Sequence, residues 1–212
     1  MRRIKHLTPR FIKNRILLSL YELRNPAAPW LTPAANAIME SLLKPTDCML
    51  EFGSGRSSVW FAERVSHITS VEHNVGWAEK VRRRLAERSL NNAELVLVPV
   101  EDERSPKAFE PYVMVSDRFA PDSLDIVLVD GALRSQCVQA VMPKIRPGGV
   151  LIIDNANWYL PSKTRSPSSR CLEAGPADTT WAGILADLRA WRSIWTSSGV
   201  TDTALYFKPA YG

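Results

Sequence analysis

The stretch Cys48-Met49-Leu50-Glu51-Phe52-Gly53-Ser54-Gly55-Arg56-Ser57-Ser58 reads as a short apolar strand, a glycine turn and the first residues of a helix. Two glycines let the backbone come close to a ligand, and the start of the helix offers unpaired amides. A dinucleotide fingerprint wants a third glycine where Ser58 stands. Glu51 would be misplaced beside a pyrophosphate, whereas a carboxylate at that point can accept from an ammonium group. About twenty residues further on, Glu72 closes the next strand, where a carboxylate can take both hydroxyls of a ribose.

Outward from this turn the chain alternates strands and helices. Strands are expected over 48–52, 68–71, 95–98, 126–129 and 150–153, with helices over 57–65, 77–88 and 136–145 between them. Such alternation predicts a parallel sheet with helices on both faces. A helix over 180–192 follows, then strands over 193–196 and 203–207 that reverse across Ser198-Gly199, which makes the last strand antiparallel. Upstream, Thr32-Pro33 predicts an N-cap and first-turn proline for a helix over 34–43. The segment 99–122, broken by Pro99, Pro106, Pro111 and Pro121, shows no period. Neither does 155–180, which is rich in Ser and Pro and is expected to be a lid over the ligand crevice.

The composition suits one α/β domain: 212 residues, 45% hydrophobic and 23% charged. The net charge of +5 is uneven. Residues 1–24 hold seven basic side chains against Glu22 alone, a balance of +6, which leaves −1 for the rest. A body so close to neutral argues against nucleic acid as the substrate. The sequence divides into a basic amphipathic arm over 1–30 and a domain over 31–212. Phe11, Ile12, Ile16, Leu17, Leu20 and Leu23 recur in the arm at helical spacing, which suits a face packed on the domain or a peripheral membrane contact. Cys48, Cys137 and Cys171 form no pair motif, and with no signal-peptide pattern the expected compartment is the cytoplasm. A homodimer is left open.

With the acid-apolar-Gly-x-Gly turn and the acidic end of the second strand, the chain resembles the class I methyltransferases that use S-adenosyl-L-methionine. That resemblance covers nearly everything beyond the arm. It implies a Rossmann-like, doubly wound sheet of seven strands, mostly parallel with the last antiparallel. It also implies that Glu51, Gly53 and Gly55 hold the methionine end of the cofactor, Glu72 the ribose and Glu101 the adenine. Ser54 and Ser58 of the turn, His73 beside Glu72, and Asp130 are grouped with them as cofactor contacts.

A second constellation stands at the ends of the fourth and fifth strands: Asp130, then Asp154 and Asn155. These hard oxygen donors suit Mg²⁺ or another divalent cation, and they resemble the ligand triad of the cation-dependent O-methyltransferases. On that reading they are the catalytic residues and position an acceptor hydroxyl. That subfamily carries a lysine three residues after the first Asp, where this chain has Leu133 followed by Arg134. Cofactor contact by Asp130 and turn-capping by Asp154-Asn155 therefore stay open beside the metal reading. Trp30, Trp158 and Tyr159 are candidates for the crevice wall; Trp60, Trp181 and Trp191 are expected in the core. The expected activity is methylation of a small hydroxyl-bearing acceptor, sugar or phenol in type. Its alternatives are a nicotinamide-dependent oxidoreductase and a catalytically silent cofactor-binding module.

Overall fold

The computed structural model describes residues 8–100, 102 and 104–210. Among them, β1 (Cys48–Phe52), β2 (His67–Glu72), β3 (Ala93–Leu97), β4 (Leu124–Val129), β5 (Ile145–Asp154), β6 (Arg192–Ser197) and β7 (Asp202–Phe207) form one sheet. The strand order is β3-β2-β1-β4-β5-β7-β6. β1 to β5 pair in parallel, and β7 runs antiparallel between β5 and β6. Parallel neighbours need crossover helices, here α3 (Arg56–Ala62), α4 (Val75–Glu87), α5 (Glu110–Met114) and α6 (Arg134–Val141). β6 and β7 are joined instead by a tight turn, in which Ser198 N–H donates to Thr201 O at 3.0 Å. That short link forces the reversal.

Alternation along β1 and β4 sends successive side chains to opposite faces and builds two cores. Leu50, Phe52, Val127 and Val129 meet Tyr112, Val138 and Ile184 on one face. Met49, Ile126 and Leu128 meet Ala35, Met39, Phe61 and Val81 on the other. Ala35 and Met39 come from α2 (Pro33–Leu42), whose N-cap Thr32 accepts from Ala35 N–H with Pro33 in the first turn, as the sequence predicts.

Three departures from the sequence reading have physical causes. β5 begins at Ile145, because a register shift between Leu124 and Ile126 lets Pro147-Gly148-Gly149 bulge out of the pairing. The proline-broken 99–122 region contains short turns at Pro106–Phe109 and Val115–Arg118 flanking α5, with Pro106 and Pro111 at helix starts, where a missing N–H costs nothing. The segment 155–178, before α7 (Thr179–Leu188), is bonded within itself and to β7. Arg170 N–H donates to Asn157 O at 3.0 Å and Ala177 N–H to Tyr159 O at 2.8 Å. Ser166 Oγ and Trp195 Nε1 both donate to the buried Asp202 of β7, at 2.5 and 2.9 Å, and Thr164 Oγ1 joins them. Thr164 and Ser166 thus bond the segment to β7.

The amphipathic arm forms α1 (Pro9–Arg24), with Thr8 as N-cap. Of its side chains only Leu18 is buried. Ile12, Ile16, Leu17, Leu20 and Leu23 all face outward.

Candidate functional site

The carboxyl ends of β1, β2 and β4 open on one crevice of about 420 Å³, bordered by residues 53–57, Glu72, His73, 130–132, Trp30 and Trp77. Ligands of open α/β sheets bind at this edge. Gly53 has φ +94°, and a Cβ there would lie 2.7 Å from Gly131 N. The two loops are therefore pressed backbone to backbone, and the floor of the crevice admits no side chain at either point. Tyr112 Oη lies directly against Gly131. Trp77 Nε1 donates to Ser54 O at 2.6 Å, and its ring stacks on Trp30 at 6.3 Å, with the Arg56 guanidinium 4.9 Å from the Trp30 ring centre.

The expected cofactor residues fall into two groups. Glu51 is fully buried and supports the turn from beneath: its Oε2 accepts from Ser58 Oγ at 2.5 Å and Ser70 Oγ at 2.6 Å. Ser58 Oγ in turn accepts from Gly55 N–H at 2.9 Å. Burial pushes Glu51 up to about 7, against the serine hydrogen bonds that pull it down. Its Oε1 is buried without a hydrogen-bond partner. Glu72 lines the crevice directly. Oε2 accepts from Ser54 N–H and Oγ at 3.1 and 2.9 Å, and Oε1 accepts from the His73 and Asn74 amides at 2.9 Å each. The His73 ring lies 3.3 Å from Glu72 Oε1 and edge-on to Phe109, with ring centres 5.3 Å apart. Glu101 lies outside the described residues.

Arg134 dominates the second constellation. It begins α6, placed there by Leu133 in a left-handed conformation at φ 43°. Every one of its five N–H donors is used. Nη2 reaches Asp130 O at 2.8 Å and Asp130 Oδ1 at 2.7 Å; Nη1 reaches Asp154 O at 2.6 Å and Asn155 Oδ1 at 2.9 Å; Nε reaches Gly131 O at 3.2 Å. Asn155, itself left-handed at φ 49°, donates through Nδ2 to Thr201 Oγ1 at 2.6 Å. Asp154 accepts from Thr203 Oγ1 at 2.7 Å. Burial, then the charge of Asp130, push its carboxyl up to about 8, so it keeps its proton at neutral pH. Asp130 also moves up through burial, opposed by Arg134 and by a hydrogen bond with Asp154.

Asp130, Asp154 and Asn155 are thus brought together as expected, but around a guanidinium. The donor set does not fit a divalent cation, since Arg134 already carries the positive charge and takes the Asp130 and Asn155 oxygens a metal would need. No cluster of three or more His, Cys, Asp or Glu suited to a metal occurs among the described residues. An adenosyl sulfonium cofactor does fit the crevice, which has a side-chain-free floor, Glu72 at its edge and an unpaired Glu51 oxygen beneath it.

Three site residues escape sequence reasoning: Trp77, Tyr112 and Arg134. Arg134 had a signal, its position next to the absent lysine; Tyr112 lies in the region without a period. Trp30 walls the crevice as expected, whereas Trp158 and Tyr159 flank Arg134, with ring centres 6.0 and 5.8 Å from its guanidinium. Trp60 and Trp181 are buried in the cores.

A family profile described as a methyltransferase domain matches residues 50–156, half of the chain. No curated protein matches. Among solved structures, a candidate caffeoyl-CoA O-methyltransferase from Staphylococcus aureus aligns with a TM-score of 0.59 at 15% identity, over 93% of this chain and 99% of that one. A candidate methyltransferase from Streptococcus mutans in complex with SAH aligns at 0.56 and 8% identity, over 82% and 96%. An rRNA methylase from Streptococcus thermophilus aligns at 0.55 and 9% identity, over 83% and 95%. Identities this low carry the fold alone.

Proposed function

The chain belongs to the methyltransferase-domain family, and on that footing we propose that it moves a methyl group from S-adenosyl-L-methionine to a hydroxyl oxygen of a small sugar- or phenol-type acceptor, without a divalent cation. The observation that carries this reading is the pairing of a glycine-floored crevice with a partly buried Asp130–Arg134 ion pair at its edge. The bound cofactor supplies an electrophilic sulfonium methyl, and the reaction is in-line displacement, in which alignment provides most of the rate.

The chain's own residues supply the rest. Glu72 accepts from the ribose hydroxyls, in competition with Ser54 Oγ. Trp30 and Trp77 exclude water from one side. Asp130 is the proton acceptor: as the hydroxyl oxygen forms its bond to carbon and the carbon–sulfur bond breaks, the hydroxyl proton passes to its carboxylate and then to solvent. Burial raises the affinity of Asp130 for that proton, and the adjacent guanidinium opposes that rise. Asp154 and Asn155 are positioning residues that hold Arg134. The nicotinamide alternative is disfavoured by Ser58, whose hydroxyl fills the space between turn and Glu51 where a dinucleotide turn needs glycine.

Labelled methyl transfer to a panel of sugars and phenols, in excess chelator, tests this reading. Turnover should persist, and Asp130→Asn should lower kcat by about 10² to 10⁴. Turnover that stops in chelator and returns with Mg²⁺ would restore the metal reading. Cofactor binding with no transfer to any acceptor would favour the silent module.

A further inference from the structure

Helix α1 presents two unlike faces. Toward the body it turns Phe11, Asn14, Leu18 and Tyr21, with Asn36 Nδ2 donating to Tyr21 Oη at 3.3 Å and the Asn14 amide seated over Gly199. Away from the body it exposes Ile12 at 46%, Ile16 at 56%, Leu17 at 54%, Leu20 at 43% and Leu23 at 77%. At roughly 100° per residue these five fall within an arc of about 140°. A helix that needed only to cover its own domain would bury such a stripe.

The charges around the stripe indicate what covers it. Arg10, Lys13, Arg15 and Arg24 are all exposed. Lys13 and Arg24 lie within the apolar arc and Arg10 at its edge. The one acid, Glu22, sits on the inner side and is partly buried. The outer face is therefore apolar and cationic with no carboxylate, complementary to an anionic, partly apolar surface. Against a body that is otherwise close to neutral, four of the seven basic side chains of residues 1–24 lie on this one helix.

We propose that α1 docks on an anionic lipid bilayer, with its apolar stripe at the headgroup boundary and its basic side chains on the lipid phosphates. The location adds a consequence. Asn14 rests on the β6–β7 turn, and Thr201 of that turn bonds Asn155, so α1 lies at the sheet edge where the crevice opens. The chain leaving α1 then runs to Trp30, which lines the crevice. Docking holds the crevice beside the bilayer.

Co-sedimentation of the full chain with vesicles tests this, using phosphatidylcholine alone and phosphatidylcholine mixed with phosphatidylglycerol. Partitioning should be at least about tenfold stronger into the anionic vesicles and should weaken with added salt. Ile16→Glu combined with Leu20→Glu should abolish it with the melting temperature unchanged, because both side chains are exposed. Lys13→Glu with Arg24→Glu should weaken it independently. Equal partitioning into neutral and anionic vesicles, or none, would overturn the proposal. So would a dimer in solution that Ile16→Glu with Leu20→Glu splits while vesicle binding is unaffected.

Discussion

Arg134, Asp130 and Asp154 form a unit in which burial pushes both carboxyls up and the guanidinium opposes the rise. The pH dependence of stability follows from the direction of that shift. The unfolded chain releases the Asp154 proton near its ordinary value of 3.8, while the folded chain holds it up to about 8. Between those values the native state binds more protons than the unfolded state, so stability falls as pH rises through the window and levels off above it. Glu51, raised from 4.5 to about 7 by burial, adds a contribution of the same sign. Asp154→Asn mimics the protonated form and can keep the Thr203 bond. Urea denaturation of both proteins from pH 5 to 9 should show the variant gaining on the wild type by on the order of 2 kcal/mol across the series. Parallel curves would contradict the assignment. At this scale the sequence was legible where neighbours in the chain are neighbours in space: Glu51, Gly53 and Glu72 sit on one strand-turn-helix unit and the strand beside it. Arg134 was not, because its acceptors come from two strand ends, and the same oxygens could have served a metal.

Among elements, the segment between β5 and α7 behaves as part of the body. Its Thr164 and Ser166 hydroxyls donate to Asp202 and tie it to β7, while the backbone bonds at Arg170 and Ala177 close the segment on itself. Hydrogen exchange at the Arg170 and Ala177 amides of the free protein should be slow, and nearly unchanged when S-adenosyl-L-methionine is added. Rapid exchange that slows with ligand would restore a lid. Strands β1 and β4 were readable because each is a short, mostly apolar run bounded by turn signals. The 155–178 segment was not, since its side chains bond to a strand residue 36 to 38 positions away, which leaves no period. α5 and its flanking turns were hidden for a related reason: elements of four or five residues are too short for a 3.6-residue period to repeat.

For the whole molecule, the parallel sheet and the antiparallel β7 followed from the alternation of elements and from one tight turn, and the strand order of the structure places the glycine turn, Glu72 and Asp130 around one crevice. What that crevice binds decides the function. Titration calorimetry with S-adenosyl-L-methionine should give saturable binding, weakened at least about tenfold by Glu72→Ala, which removes a charged hydrogen-bond acceptor. Gly53→Val should also weaken it, because its side chain would collide with the Gly131 backbone. Binding of NADH with no affinity for any S-adenosyl compound would contradict it.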